Sequence, residues 1–217
     1  MTPLLYAHPF ASYCQKVLIA LYENATPFDF KLVATPDDFD ELGKLWPFRQ
    51  FPVLVDGDMT LIEATIVIEY LDTFRRGATR FVPDDAKAAL DVRFMDRFFD
   101  NYVHTPMQTV VYDALRAEHE RDAKTVADAR EKLEAAYRWL DQRMAGREWA
   151  SGETFTLADC AAGPALFYAD WVRRIDPAHA NVVAYRERLN ARPSFKRAID
   201  EARPFRPYFP LGAPERD

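Results

Sequence analysis

Glycine, cysteine and long apolar runs are scarce in this chain, and each scarcity excludes a class of protein. It has 7 glycines, none before Gly43, so no phosphate-binding or dinucleotide-binding glycine loop follows the first predicted strand. No apolar run approaches the roughly 20 residues of a membrane-spanning helix. The net charge of −6 provides no basic surface for nucleic acid or for an anionic membrane. We therefore expect no nucleic-acid partner and no membrane partner.

The cysteines and histidines are few and far apart. The 2 cysteines, Cys14 and Cys160, imply no disulfide framework and suit a reducing cytoplasm. The 4 histidines have no carboxylate or cysteine at metal-ligand spacing, so we assign no metal site. The chain begins almost at once with a strand pattern and not with a charged leader. The sequence therefore predicts a cytoplasmic location.

Short segments of alternating type occupy the first third of the chain. Strands are predicted at 4–7 and 28–33, with an amphipathic helix over 17–23 between them. Residues 52–55 and 59–62 flank an Asp-Gly turn, which predicts a β-hairpin. Another helical pattern follows the hairpin. This order predicts a small α/β sheet layered with helices.

The rest of the chain carries apolar residues at helical spacing. Helices are predicted at 84–118, 124–145, 156–171, 178–191 and 194–203. Pro106 should kink the first of them because it removes a hydrogen bond and crowds the preceding turn. We divide the chain into a first domain over 1–78, a helical domain over 84–205 and an irregular tail over 206–217.

Residues 11–14, Ala-Ser-Tyr-Cys, lie where the first strand gives way to a helix. Thioredoxin-like folds present a sulfur nucleophile at this place, usually as Cys-x-x-Cys. Ala11 occupies the first, reactive position, so redox cycling through the chain's own cysteines is not expected. A thiol that reacts here would belong to a bound small molecule.

Three further stretches resemble one family in its own order. Residues 47–52, Pro-Phe-Arg-Gln-Phe-Pro, resemble the cis-proline loop of glutathione transferases, and 61–71 resemble that family's Glu-Ser helix start. Residues 151–166 resemble the signature of its helical domain, and 192–195 are similar to its last helix. The resemblance, to a bacterial cytosolic glutathione transferase, implies an α+β protein. It further implies a thioredoxin-like N-terminal domain with a mixed four-stranded sheet, an all-helical domain after it, and a homodimer.

The resemblance also implies how glutathione is held. Phe51, before a cis Pro52, would pair its N–H and C=O with the peptide backbone of glutathione, Glu63 would hold the γ-glutamyl ammonium, and Gln50 would add a polar contact. Ala64 stands where the family has a serine for the carboxylate, so one hydroxyl is missing. Each residue also has a purely structural alternative. Pro52 could be a trans proline that opens an edge strand, Glu63 a solvated carboxylate in the first turn of a helix, and Gln50 a side chain on a surface loop.

The group that would stabilise the glutathione thiolate is the central question. In many relatives the active residue aligns with Ala11, which cannot donate a hydrogen bond. Ser12, one position on, could donate to the thiolate, or it could cap the helix that follows. Tyr6 and Tyr13 are further phenol donors, but the core and side-chain packing are the favoured roles for them. The sequence leaves both roles of Ser12 open.

Apolar side chains near Pro106 are expected to form the wall of a pocket for the second substrate. Of the aromatic and methionine side chains on the helical domain, Tyr102 and Met107 are the chosen candidates. The resulting hypothesis is a transferase that binds glutathione and directs its thiolate at a small hydrophobic electrophile by electrostatic stabilisation and proximity. Its rivals are a non-catalytic carrier of glutathione or a hydrophobic ligand, and a scaffold for protein contacts.

Thr156 and Asp159 have the spacing of a capping box at the start of a helix. This pattern predicts a structural role for both. Replacing Asp159 by alanine should then lower the stability by about 1 kcal/mol, the usual cost of losing a cap.

Overall fold

The N-terminal part of the protein is built on a mixed sheet of four short strands. The computed structural model describes residues 2–217. The strands are β1 (Leu4–Ala7), β2 (Asp29–Leu32), β3 (Val53–Asp56) and β4 (Met59–Ile62), in the spatial order β2-β1-β3-β4. β1 pairs parallel with β2 and antiparallel with β3, and β3 pairs antiparallel with β4. The predicted mixed four-stranded sheet is confirmed.

Helices layer the sheet and make up the rest of the molecule. In the first domain they are α1 (Ser12–Glu23), α2 (Pro36–Leu45) and α3 (Ala64–Phe74). The helical domain contains α4 (Ala86–Phe98), α5 (Thr105–Leu115), α6 (Ala123–Met144), α7 (Leu157–Val172), α8 (Ala180–Ala191) and α9 (Pro193–Ala202). Short 3₁₀ helices span Glu118–Glu120 and Arg203–Tyr208. The all-helical second domain is confirmed as well.

The predicted hairpin between β3 and β4 is present, with its two-residue loop placed one residue later than the predicted Asp-Gly pair. Asp56 pairs with Met59, which leaves Gly57 and Asp58 as the two loop residues. Gly57 has φ +63°, a conformation that a residue without a Cβ adopts at little cost. The turn therefore sets the register that brings β4, and the start of α3 beyond it, to the edge of the sheet.

The predicted long helix before residue 118 is divided into three parts. α4 runs into a π-helix over Phe99–His104, and α5 continues from it with Pro106 in its first turn. Proline has no N–H to donate to the carbonyl four residues earlier, and its ring crowds that turn. The wider π turn directly before α5 accommodates the missing hydrogen bond.

One hydrophobic core joins the two domains. It includes Leu18 and Ile19 of α1, Leu166 of α7 and Phe195 of α9, all at most 1% exposed. A second, smaller cluster under the sheet contains Tyr6, Val33, Leu42 and Val53. Because α1 packs against the helical domain, the loop that precedes it lies at the junction of the domains.

The segment between α3 and α4 is packed, although it contains no helix or strand. Phe81 is fully buried, its N–H donates to Asp72 at 2.8 Å, and its carbonyl accepts from the N–H of Leu157 at 2.9 Å. These bonds tie the connection to α3 on one side and to α7 on the other.

The C-terminal segment differs from the expected irregular tail. Its first residues complete the 3₁₀ helix Arg203–Tyr208, and Phe209 is buried. Arg216 donates to both the carboxylate and the carbonyl of Asp170 at 3.1 Å. A short apolar anchor and ion pairs therefore hold this segment against α7. Within residues 2–217, none of the helices combines the length and hydropathy that crossing a bilayer requires.

Asp159 is fully buried at the start of α7. The N–H of Thr156 donates to its carboxylate at 2.8 Å and the Thr156 hydroxyl at 3.1 Å. The N–H of Ala150 and the hydroxyl of Tyr185 donate to the other carboxylate oxygen at 2.9 and 2.6 Å. The carboxylate thus fastens the helix start to a preceding loop and to α8, which exceeds the role of a cap.

Candidate functional site

A cleft of about 770 Å³ lies between the sheet end of the first domain and α5 of the second. The first domain contributes His8, Phe10, Ala11, Ser12, Tyr13, Phe39, Trp46, Arg49, Gln50, Phe51, Pro52, Ile62, Glu63, Ala64 and Thr65 to its lining. The remainder contributes Asp100, His104, Met107, Gln108, Val111, Tyr112, Leu115, Tyr168, Tyr208, Phe209 and Pro210. The two domains and the C-terminal segment together therefore form one site.

The loop before β3 presents main-chain polar groups to the cleft. The peptide bond between Phe51 and Pro52 is cis, and both residues line the cleft. The N–H and the C=O of Phe51 have no main-chain partner among residues 2–217. An unpaired donor and acceptor on one residue can bind an extended peptide as a neighbouring strand would.

The start of α3 presents a carboxylate and free amides at the same side. Glu63, the residue before α3, has φ +70°, a conformation that costs a non-glycine residue about 1–3 kcal/mol and recurs at binding sites. Its side chain is exposed and caps no amide of the helix. Ala64 is buried at the first position of α3 and lines the cleft. A ligand with both an ammonium and a carboxylate matches this pair of features.

Ser12 is the first residue of α1 and does not cap it. The N-cap is Ala11, and it makes no side-chain cap bond. The Ser12 hydroxyl contacts Nε2 of His104 instead. Of the two roles left open by the sequence, the capping role is therefore wrong. Ser12 lines the cleft beside the N–H groups of the first turn of α1, which have no intrahelical acceptor.

A buried cluster of ion pairs lies next to the site and connects the helices that carry its residues. Lys16 of α1 is 1% exposed, and its ammonium lies 2.6 Å from Asp96 and 2.9 Å from Asp100. It also donates to the Thr65 hydroxyl at 3.0 Å, and Thr65 donates to Asp96 at 2.9 Å. Arg97 adds a second cation at 2.7 Å from Asp100. The cluster links α1, α3 and α4, so it fixes the start of α1 relative to the start of α3.

Asp100 is the charged member of that cluster that lines the cleft. Burial raises the pKa of Asp100, although the nearby Lys16 ammonium opposes the shift. Two cations, Lys16 and Arg97, face it at 2.9 and 2.7 Å, and we assign the ionised form to it at neutral pH.

The part of the cleft that the first domain lines has hydrogen-bond donors, and not carboxylates, at the end away from Glu63 and Asp100. Trp46, Arg49 and Gln50 line the cleft beside the cis-proline loop. The Trp46 indole N–H is buried and has no partner among residues 2–217. Arg49 makes an exposed ion pair with Asp40 at 3.0 Å. An anionic ligand group is the natural acceptor for donors arranged in this way.

The remaining half of the cleft is uncharged. Met107, Val111, Tyr112 and Leu115 of α5 form one wall, with Gln108 among them. Phe10, Tyr168 and the C-terminal residues Tyr208, Phe209 and Pro210 form the other. Such a surface favours a ligand with an apolar body.

Of the two predicted pocket residues, only Met107 lies in the cleft. Tyr102 is 59% exposed and absent from the lining. It stacks on Phe98 at 5.8 Å. The π-helix turns residue 102 outward while Asp100 and His104 reach the cleft. The expectation for Tyr102 rested on its nearness to Pro106, which does not specify which way a side chain of the π-helix points.

Three other side chains near the site have structural partners. The Tyr6 hydroxyl donates to Glu41 at 2.9 Å in the smaller core. Cys14 is fully buried, its Sγ accepts from the His8 N–H at 3.4 Å, and burial raises the pKa of its thiol to about 12. Burial also raises the pKa of Tyr13, with a further contribution from Asp100. Cys14 and Tyr13 are therefore protonated at neutral pH.

Several cleft residues were not found from the sequence. No motif in the sequence singles out His104, Asp100, Trp46 or Tyr208. Only Trp46 carried a usable signal, because it immediately precedes the 47–52 loop. Among residues 2–217, no group of three or more His, Cys, Asp or Glu side chains is arranged to hold a metal ion.

Two family models together match most of the chain. The glutathione S-transferase N-terminal domain matches residues 5–78, and the glutathione S-transferase C-terminal domain matches 95–193. A glutathione S-transferase from Methylobacillus flagellatus, solved with glutathione bound, is 26% identical with a TM-score of 0.83. The alignment covers 91% of this chain and 98% of that one.

Curated relatives carry two kinds of name. Glutathione S-transferase 3 of Zea mays is 29% identical and covers 92% of this chain and 94% of its own. A stringent starvation protein A homolog of Coxiella burnetii is 28% identical over 91% of each chain. The chain is thus similar over nearly its whole length both to proteins named as transferases and to one that is not.

Proposed function

Because the chain belongs to the glutathione S-transferase family, we propose that it binds glutathione in this cleft and activates its thiol. One observation carries the proposal. A hydroxyl at a helix N-terminus, the free main chain of a cis-proline loop and a strained glutamate at a second helix start all line one cleft.

Glutathione fits the order of polar groups along the first domain. Its cysteinyl backbone pairs with the main chain of Phe51 before Pro52, and the γ-glutamyl ammonium is held by Glu63. The γ-glutamyl carboxylate accepts from the amides at the start of α3, since Ala64 supplies no hydroxyl. The glycyl carboxylate lies toward Trp46 and Gln50. This orientation directs the sulfur at Ser12.

Thiol activation requires stabilising the thiolate relative to the thiol. The pKa of a free thiol is about 8.5, and each unit of lowering requires about 1.4 kcal/mol. The Ser12 hydroxyl and the N-terminal amides of α1 supply donors and a positive dipole end for this purpose. The thiolate then attacks a small hydrophobic electrophile held by Met107 and its neighbours on α5, by proximity and without a covalent enzyme intermediate.

The wider setting belongs to the same proposal. We assign the protein to the cytoplasm, where its two free thiols stay reduced, and to detoxification of electrophiles. A homodimer is proposed as well, supported by exposed apolar side chains on α3 and α4 that include Ile66, Phe74 and Leu90, each more than half exposed.

Glutathione binding and turnover test the proposal in two steps. Glutathione at 100 times its Kd should raise the free energy of unfolding by about 2.7 kcal/mol, measured by thermal denaturation. Conjugation of 1-chloro-2,4-dinitrobenzene should proceed in the wild type and fall about 100-fold in Ser12→Ala. Thr73→Ala removes an exposed hydroxyl of α3 outside the cleft and should leave both readouts unchanged. No stabilisation by millimolar glutathione would overturn the proposal.

A non-catalytic carrier is the second candidate. It is supported by the missing hydroxyl donor at Ala11 and by a relative not named as a transferase. A carrier would be stabilised by glutathione but would turn over no electrophile. Binding without turnover across a panel of aryl halides, epoxides and enones would decide in its favour.

A further inference from the structure

His104 lies against the Ser12 hydroxyl, and the proposed binding and thiol activation do not involve it. Its Nε2 contacts Ser12 Oγ across 92 residues of sequence, and the residue is 2% exposed. Its other ring nitrogen, Nδ1, is buried and has no hydrogen-bond partner among residues 2–217. The two ring nitrogens therefore have very different surroundings.

The fold holds this imidazole in one position. His104 ends the π-helix Phe99–His104, directly before the first turn of α5, and the Thr105 hydroxyl donates back to the Asp100 carbonyl at 2.9 Å. The Tyr13 ring packs on the imidazole at a centroid distance of 4.2 Å. Ring and hydroxyl are thus brought together by α1 and the π-helix.

A buried imidazole in this place is neutral. Burial, with a smaller contribution from the nearby Lys16 ammonium, lowers the pKa of His104 to about 3. At neutral pH the ring therefore carries a single N–H, on one nitrogen or the other.

The surroundings select the tautomer. A hydrogen on Nδ1 would be a buried donor without an acceptor, which costs about 1–3 kcal/mol, and buried N–H groups without partners are rare. A hydrogen on Nε2 finds the Ser12 oxygen as its acceptor. The unused lone pair then falls on Nδ1, where no donor is available.

We propose that His104 is a positioning residue that donates its Nε2 hydrogen to Ser12 Oγ and so leaves the Ser12 hydroxyl hydrogen free for a ligand sulfur in the cleft. The inference rests on the proposed function for the identity of that sulfur. In the other tautomer Ser12 would give its only hydrogen to His104 and would present lone pairs to the thiolate. One proton position on the histidine thus decides whether Ser12 stabilises or repels the thiolate.

The tautomer can be measured without glutathione or turnover. Long-range ¹H–¹⁵N correlation spectra of ¹⁵N-histidine-labelled protein distinguish a protonated from an unprotonated ring nitrogen. The four histidines give four patterns, and His104→Gln identifies the one that belongs to residue 104. The proposal expects Nε2 to carry the hydrogen at pH 7. A hydrogen on Nδ1, or a doubly protonated ring, overturns it.

Activity measurements test the consequence for the sulfur. His104→Leu should lower kcat/KM about tenfold, leave KM for glutathione within about twofold, and raise the pKa of bound glutathione, read from thiolate absorbance. His104→Gln retains an N–H at similar reach and should recover most of the loss. Ser12→Ala combined with His104→Leu should be no worse than Ser12→Ala alone, because both act on one hydrogen bond. His119→Leu, on an exposed 3₁₀ helix, serves as the control.

The outcomes separate this inference from the proposed function. If Ser12→Ala impairs turnover and both His104 variants remain fully active with an unchanged thiol pKa, the positioning role is overturned and the transferase stands. If the wild type fails to bind glutathione, the proposed function fails, and the tautomer spectrum still decides the relation between His104 and Ser12. Either variant that does not fold is replaced by the other, and the spectrum needs only the wild type and one variant.

Discussion

Asp159 accepts hydrogen bonds from more groups than a helix cap requires. Thr156, Ala150 and Tyr185 all donate to it in a fully buried place. Burial raises the pKa of Asp159 in spite of these donors. Asp159→Ala leaves several buried donors unsatisfied, each costing about 1–3 kcal/mol. We therefore expect a loss of about 3–5 kcal/mol in unfolding free energy, measured by urea denaturation, and not the 1 kcal/mol expected from the motif alone.

Asp85 provides the matched control for that measurement. It is the N-cap of α4, is exposed, and accepts one hydrogen bond from the Ala88 N–H at 2.8 Å. Asp85→Ala should cost about 1 kcal/mol. Equal losses in the two variants would mean that the additional donors around Asp159 contribute nothing.

Residues whose role depends on neighbours in sequence were predictable, and those that act across the fold were not. The cis bond before Pro52 and the binding-type helix start after Glu63 were implied by the family resemblance of two short motifs, and the structure contains both. The partner of Ser12 lies 92 residues away. No spacing in the sequence relates them, because the contact depends on how α1 meets the π-helix.

Element boundaries were predicted most closely where one residue type enforces them. The residues Asp56 to Asp58 marked the hairpin, and a π-helix interrupts the α-helical pattern directly before the turn that contains Pro106. The π-helix was not foreseen, since proline excludes an α-helical hydrogen bond without specifying what replaces it. The π-helix has a direct consequence for the site. It brings Asp100 and His104 to the cleft and turns Tyr102 away from it.

The C-terminal segment is an element whose removal can be predicted. Phe209 is 6% exposed. Its ring centroid lies 5.1 Å from that of Trp171 and 6.5 Å from that of Phe10. Truncation before Phe209 should lower the unfolding free energy by about 2–3 kcal/mol, the contribution of one buried aromatic side chain. The Kd for glutathione, measured by calorimetry, should change less than twofold, because the segment borders the uncharged half of the cleft.

Asp217→Asn tests whether charge or apolar packing holds the segment. Asp217 pairs with Arg203 and Arg206 near the surface, and pairs of this kind contribute about 0–1 kcal/mol. We expect a stability change below 1 kcal/mol. A loss as large as that of the truncation would contradict the packing argument.

At the scale of the whole molecule, charge is divided between the two sides of one cleft. The charged lining residues Arg49, Glu63 and Asp100 all lie on the side of the cis-proline loop and the start of α3, and α5 contributes none. The family resemblance was sufficient to predict both domains. It did not predict that the C-terminal segment lines the uncharged side, because the packing of the tail depends on contacts between distant residues, such as that of Phe209 with Trp171.

The proposed homodimer makes a prediction about the exposed face of α4. Leu90 and Phe94 lie one helical turn apart there, 69% and 47% exposed, and Phe94 contacts Trp139 of α6 at 5.9 Å. In a symmetric dimer, one substitution places two charges in one interface, and each unpaired buried charge costs several kcal/mol. Leu90→Glu with Phe94→Glu should therefore raise the dimer Kd at least 100-fold, measured by sedimentation velocity.

The edge strand β2 supplies a control for the dimer measurement. Phe30→Glu changes an apolar residue that is 41% exposed and lies on a different element, so it should leave the dimer Kd within about twofold. The thermal unfolding of the wild type and of the double variant should be compared at protein concentrations above and below the wild-type dimer Kd, since the stability of a dimer depends on concentration. A wild type that sediments as a monomer at every concentration would refute the dimer, and a double variant that still dimerises would locate the interface on another face.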